Sequence, residues 1–142
     1  MYKVLKVLVV DDEPEIVMAL QVHLELQGYD VDTALSAVDA LVKVKEKSYD
    51  LVLTDINMPE MDGIELLEKI KAESGNTLVV MITAYTSMMK VLSSRLYGAT
   101  DYILKPFGDL TEVDKVITRC AEAVMRWEDV LDSVQEKKHQ TS

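Results

Sequence analysis

A single cysteine, Cys120, leaves this chain unable to close an internal disulfide or to build a cysteine-rich metal site. Its neighbours follow a helical apolar pattern, so it is expected in the core. Nowhere do 18 apolar residues run together, which argues against a membrane-spanning helix. The opening Met1-Tyr2-Lys3-Val4 lacks the apolar stretch and cleavage site of a secretion signal, and a cytoplasmic setting is the expectation. Basic residues are also scarce, with 15 Lys and Arg against 25 Asp and Glu and a formal charge of −10. Nucleic acids and anionic lipids are bound largely through Lys and Arg, so direct binding to either is disfavoured. The acidity serves either solubility or the attraction of a cation to clustered carboxylates. There is no internal repeat, low-complexity segment or Gly/Ser linker.

What is present suits one domain: 142 residues, 49% of them hydrophobic, are enough for a single good core. Val4 to Val10 reads as a β-rich central strand that stops at Asp11-Asp12-Glu13-Pro14, and Pro14 fits the first turn of a helix ended by Gly28. Tyr29 to Ala34 is a second strand, and Ser36 caps a helix with Ala37, Ala40, Leu41 and Val44 on its buried side. Asp50 to Thr54 is a third strand, and it carries Asp55 at its carboxyl end. A loop with Pro59 and Gly63 leads to a helix over Ile64 to Ala72. Thr77 to Ile82, ending at Thr83, is apolar almost throughout, which implies burial on both faces. Thr86 or Ser87 can cap a fourth helix closed by Gly98, and Asp101 to Leu104 is a fifth strand ending at Lys105-Pro106.

Strands alternating with helices predict an α/β, flavodoxin-like, doubly wound parallel sheet of five strands in the order 2-1-3-4-5. That order sets the ends of strands 1 and 3 side by side, so Asp11, Asp12 and Asp55 converge. Three such carboxylates repel one another unless a cation joins them, and an oxygen-only ligand set suits Mg²⁺ or Mn²⁺. Asp55 can then act as a nucleophile toward phosphorus and become an acyl phosphate. Lys105 can supply a fixed positive charge and Thr83 a hydroxyl donor, each from the end of its own strand. Pro106 permits a cis peptide.

These residues resemble the receiver domain of two-component response regulators, in particular the stand-alone chemotaxis-type members. The resemblance runs from Lys3 to about Val124. It is carried by Val9-Val10-Asp11-Asp12-Glu13, by Asp55 with Met58-Pro59-Glu60-Met61-Asp62-Gly63, by Thr83-Ala84, and by Gly98-Ala99-Thr100-Asp101-Tyr102-Ile103-Leu104-Lys105-Pro106-Phe107. It implies a signalling domain rather than a classical enzyme, phosphorylated on Asp55 by a histidine kinase or histidine phosphotransfer protein, with weak self-phosphorylation and self-dephosphorylation. It further implies that Asp12 binds Mg²⁺ directly, Asp11 mainly through water and Asn57 through its backbone carbonyl. Thr83 and Lys105 would meet the phosphoryl oxygens. Tyr102 would be an aromatic switch that turns inward as Thr83 moves, and Asn57 and Tyr85 would tune the lifetime of the phosphorylated state. The surface that reads the switch would be helix 4, opened by Met88 and Met89, with strand 5 and helix 5, and it would act on a downstream protein. His23 and His139 read as an ordinary helix residue and a tail residue.

Two other classes fit less well. Aspartyl-phosphate phosphatases of the haloacid-dehalogenase type place an Asp-x-Asp pattern on strand 1, whereas the acids here are adjacent and the isolated Asp follows strand 3. A flavin-binding module would need a Ser/Thr/Gly-rich phosphate loop where Asp11-Asp12 stand.

The domain is expected over residues 1–124, followed by an extension over 125–142. Asp109 and Glu112 resemble a capping box. Val113, Ile117, Cys120, Val124, Trp127, Leu131 and Val134 then follow a heptad seam that outruns the sheet. The overhang reads as a dimerisation helix giving a homodimer, as the start of a signalling helix in a longer parent, or as a long monomeric helix. Glu136 to Ser142 is expected to fray. With no output domain after Val124, output is expected through protein contacts.

Overall fold

A computed structural model describes residues 3–84 and 88–140. Tyr85, Thr86 and Ser87, and with them the expected cap of helix 4 and one tuning position, lie outside the described residues, as do the side chains of Met88 and His139. The strands are β1 (Lys6–Val10), β2 (Asp30–Ala34), β3 (Leu51–Asp55), β4 (Leu78–Thr83) and β5 (Asp101–Leu104). The helices are α1 (Pro14–Leu26), α2 (Ala37–Glu46), α3 (Gly63–Glu73), α4 (Met88–Leu96) and α5 (Thr111–Gln140). All strand pairs are parallel and the order is β2-β1-β3-β4-β5, as expected from the alternation of elements.

Local chemistry sets most boundaries. Pro14 opens α1, where its missing N–H costs nothing. The Ser36 hydroxyl accepts from the Asp39 N–H, and the Asp62 carboxylate accepts from the Glu65 N–H at 2.9 Å, so both helices start on side-chain caps. Gly28 and Gly98 close α1 and α4 with φ of +96° and +99°. β1 begins two residues later than the alternation suggests, because Val4 is exposed and pairing starts at Lys6.

The sheet separates two apolar layers. On one side Leu20 and Leu24 of α1 and Val113, Val116, Ile117 and Cys120 of α5 pack on Val7, Val9, Leu53 and Ile82. On the other, Ala37 and Ala40 of α2 and Leu66, Leu67 and Ile70 of α3 cover Leu8, Val10, Val52 and Met81. Burial pushes the Cys120 thiol up to about 11, in keeping with an inert core residue.

The start of α5 departs from the capping box. Leu110 adopts a left-handed φ of +67° and packs into the core, which moves the helix start to Thr111. Asp109 therefore accepts from the Thr111 N–H from just outside the helix, and Glu112 falls in the first turn instead of the box position. The far end also differs: Glu136 to Gln140 is helical, so the overhang past Val124 is longer than the seam alone implies. Trp127, Leu131 and Val134 are exposed on it. Lys3 bridges Asp50 and Glu128 at 2.8 Å each and ties the base of this extension to the sheet. Among the described residues no helix is long and apolar enough to cross a membrane.

Candidate phosphoacceptor site

The carboxyl ends of β1, β3, β4 and β5 form one edge, and the predicted residues stand along it. Asp55 is the last residue of β3, paired in register with Ile82, and is nearly buried. Asp11, just past β1, is fully buried, and Asp12 beside it is exposed. Asp11, Asp12 and Asp55 each offer a carboxylate oxygen within 4.8 Å of the others. Such a set of hard oxygen donors fits Mg²⁺ or Mn²⁺.

Lys105 reaches into this cluster from the end of β5, and its peptide bond to Pro106 is cis. Its Nζ lies 2.8 Å from Asp11 Oδ2, 3.0 Å from Glu13 Oε2 and 3.5 Å from Asp55 Oδ2. One ammonium thus faces three carboxylates, with Asp12 adding a fourth nearby. Burial pulls the Lys105 pKa down, but the bonds to Asp11 and Glu13 outweigh it and hold it above the ordinary lysine value. Asp11 is shifted up, first by burial and despite Lys105. Asp55 is shifted up by burial and then by the charge of Asp11, with Lys105 opposing. Asp11 Oδ1 accepts from the Glu13 N–H at 2.9 Å, whereas Oδ2 has the ion pair to Lys105 but no well-directed hydrogen bond. That buried oxygen and the raised carboxylate values are what a site short of positive charge looks like, so the residues fit a divalent cation.

The loop after β3 fixes Asp55 from the other side. The Gly63 N–H donates to the Ile56 carbonyl at 2.8 Å, the Ile56 N–H donates to Ile82, and the Asn57 N–H reaches Asp55 Oδ1 at a long 3.4 Å. A side chain at Gly63 would put its Cβ 2.1 Å from the Asp55 carbonyl oxygen. Glycine here is a requirement of close backbone approach, not of turn geometry.

Thr83 is buried at the end of β4, and its carbonyl accepts from the Lys105 N–H at 2.8 Å. Tyr102 sits half-buried on β5 with its hydroxyl on α4: it donates to the Val91 carbonyl and is 2.9 Å from the buried Ser94 hydroxyl. His23 is paired with Asp114 of α5 at 2.6 Å, away from the carboxylate cluster, as expected of an ordinary helix residue.

The residues that sequence reasoning left without a role are Glu13, Ser94 and Lys90. Glu13 follows the acidic pair and shares Lys105. Ser94 shows no sequence signal other than its place on α4. Lys90 of α4 donates to Asn57 Oδ1 at 2.9 Å, and nothing in the local sequence ties it to a loop 33 positions earlier.

Residues 7–118 match the family described as the response regulator receiver domain. The transcriptional regulatory protein ZraR of Klebsiella oxytoca is 42% identical over 118 residues, 83% of this chain and 26% of that protein. The chemotaxis protein CheY4 of Vibrio cholerae has a solved structure with a TM-score of 0.78 and 32% identity, covering 83% of this chain and 99% of that one. The response regulator TrrA of Thermotoga maritima, solved in complex with Mg²⁺-BeF, gives a TM-score of 0.73 at 35% identity over 81% and 97% of the two chains. This chain spans about a quarter of the length of the first curated relatives it matches. With carboxylates and Lys105 gathered at one edge of a 2-1-3-4-5 sheet and the family match running through every one of those strands, the chain belongs to the response regulator receiver domains.

Proposed function

We propose that Asp55 accepts a phosphoryl group from a phosphohistidine on a kinase or phosphotransfer protein. The observation that carries this reading is the convergence of Asp11, Asp12 and Asp55 with the Lys105 ammonium at one sheet edge. An Asp55 oxygen attacks phosphorus, the bond from phosphorus to the donor's histidine nitrogen breaks, and Asp55 becomes an acyl phosphate. Lys105 moves its charge from the carboxylates to the new phosphoryl oxygens, and the Thr83 hydroxyl donates to them. Asp11, Asp12, Asp55 and the Asn57 carbonyl would hold a divalent cation, which would supply charge neutralisation for the group in transfer. The Mg²⁺-BeF complex of the related TrrA supports Mg²⁺ as that ion.

The new charge biases a two-state element. Thr83 and Lys105 meet the phosphoryl group, and Tyr102, whose hydroxyl is on α4, carries the change to the face made of α4, β5 and α5. Asn57 and Tyr85 set how long the state lasts. A downstream protein reads that face, and the domain at 1–124 transmits the change to the extension at 125–142. The exposed Trp127, Leu131 and Val134 on that extension support a homodimer through α5.

The test is incubation with acetyl phosphate and Mg²⁺, followed by mapping of any hydroxylamine-labile phosphate by mass spectrometry. Wild type is expected to label on Asp55 and Asp55→Asn to lose the label. An unlabelled wild type, or undiminished labelling of the variant, overturns the reading.

A further inference from the structure

The phosphoacceptor loop has a second tether, distinct from Thr83, Lys105 and Tyr102. Asn57 follows Asp55 by two residues, and its N–H reaches Asp55 Oδ1 at 3.4 Å. Its side-chain oxygen is held by Lys90 at 2.9 Å, from the opposite wall of a cleft between α3 and α4. The cleft is about 910 Å³, and Glu65 and Glu68 of α3, Ser93 of α4 and Tyr97 just past it line it. Lys90 therefore joins α4 directly to the segment that positions the Asp55 carboxylate.

On the reading that Asp55 is the phosphoacceptor, we infer that Lys90 is a positioning residue for phosphoryl transfer: by holding the Asn57 side chain, it orders the loop beside Asp55 and couples α4 to the rates at which the phosphoryl group is gained and lost. In gain, an Asp55 oxygen bonds to phosphorus as the donor leaves. In loss, a water oxygen bonds to phosphorus, the bond to Asp55 breaks, and the water's proton passes to the released phosphate or to solvent. Both steps carry the phosphoryl group through the same space, so an ordered loop speeds both. The coupling is reciprocal in binding: whatever displaces Lys90 from outside the cleft alters the site, and a filled site alters the hold on α4.

The experiment measures the rates of labelling by acetyl phosphate and of label loss, at saturating Mg²⁺, in wild type, Lys90→Ala, Lys90→Arg, Asn57→Ala and the double variant Lys90→Ala/Asn57→Ala. Lys90→Ala is expected to slow both rates about threefold to tenfold, a size typical of coupled neighbours. Lys90→Arg recovers most of the loss, and in the Asn57→Ala background Lys90→Ala has little further effect. Glu68→Gln, which lines the same cleft without touching Asn57, leaves both rates as in wild type. A mere loss of folding stability would not reproduce this dependence on Asn57. Unchanged rates, an acceleration, or an equal slowing with and without Asn57 overturns the inference. Failure of wild type to label at all instead removes the phosphoacceptor reading beneath it.

Discussion

Replacing Gly63 with alanine tests how tightly the fold holds Asp55. The added Cβ would stand 2.1 Å from the Asp55 carbonyl oxygen and 2.9 Å from Ile56 Cα, both backbone atoms, where ordinary contact begins at 3.4 Å. No side chain can swing aside, so the start of α3 or the end of β3 must move by more than an ångström. That movement strains the bond from the Gly63 N–H to Ile56 and the ladder bond from Ile56 to Ile82. It also disturbs the Thr54 hydroxyl on the Asp55 carbonyl. Overpacking costs about 1–3 kcal/mol and each of the three weakened hydrogen bonds about 1 kcal/mol, so the loss is about 4–6 kcal/mol, against the 5–15 typical of a domain. Urea unfolding followed by Trp127 fluorescence and circular dichroism measures it. Gly75→Ala is the control: its Cβ would meet nothing within 4 Å, so its effect stays within about 0.5 kcal/mol. A Gly63→Ala domain within 0.5 kcal/mol of wild type would refute the close approach and with it the rigid placement of Asp55.

Four further outcomes are expected. Mg²⁺ at about 100 times its dissociation constant stabilises the domain by about 2.7 kcal/mol, or about 5–10 °C in Tm, and EDTA reverses this. Asp11→Asn should lose the Mg²⁺ response yet be no less stable in EDTA, because burial disfavours the ionised carboxylate; a full Mg²⁺ shift in the variant would contradict the cluster. The Tyr49 hydroxyl, 2.6 Å from Asp32, lowers the Asp32 pKa, with burial opposing and Lys47 assisting. A lowered carboxylate value contributes stability above its unfolded value of about 3.9, and this is lost as pH falls through the folded value. Tyr49→Phe therefore costs about 1 kcal/mol at pH 7 and progressively less below about pH 4, and a pH-independent cost in acid denaturation would refute the assignment. Leu131→Glu should lower the solution mass of any dimer in sedimentation, with and without phosphorylation, whereas a monomeric wild type in both states would remove the homodimer.

Much of the fold was legible because its signals were redundant. The near-continuous apolar runs of β1, β3 and β4, each broken by acids, Thr or a Pro-containing loop, define parallel strands buried on both faces. The parallel sheet then followed from the helical crossovers, its order from the common doubly wound arrangement at this size, and the convergence of Asp11, Asp12 and Asp55 from the order. What escaped was set by tertiary contacts without local signature. Leu110 turns left-handed because its side chain is wanted in the core, and that shifts the start of α5. Lys90 reads as one more surface lysine until α4 is packed against the loop after β3. Gly63 was visible as a loop glycine, but the reason for it, a carbonyl 2.1 Å from a missing Cβ, is a fact about two elements at once.

On the proposed function, the energetic conflict at the sheet edge is what would let the site switch. Burial raises both Asp11 and Asp55, the charge of Glu13 adds to the first and that of Asp11 to the second, and Lys105 compensates its neighbours at once with one charge. An ion with two positive charges would relieve the carboxylates and release Lys105 from part of that duty. A phosphoryl group on Asp55 would then offer the released ammonium a stronger partner than a shared carboxylate. Because the Lys105 N–H is bonded to the Thr83 carbonyl, and Tyr102 stands three residues before Lys105 with its hydroxyl on α4, that change of partner would be applied to the strands and helix of the proposed output face. The same crowding of like charge would thus give a phosphoryl group on Asp55 its leverage over α4.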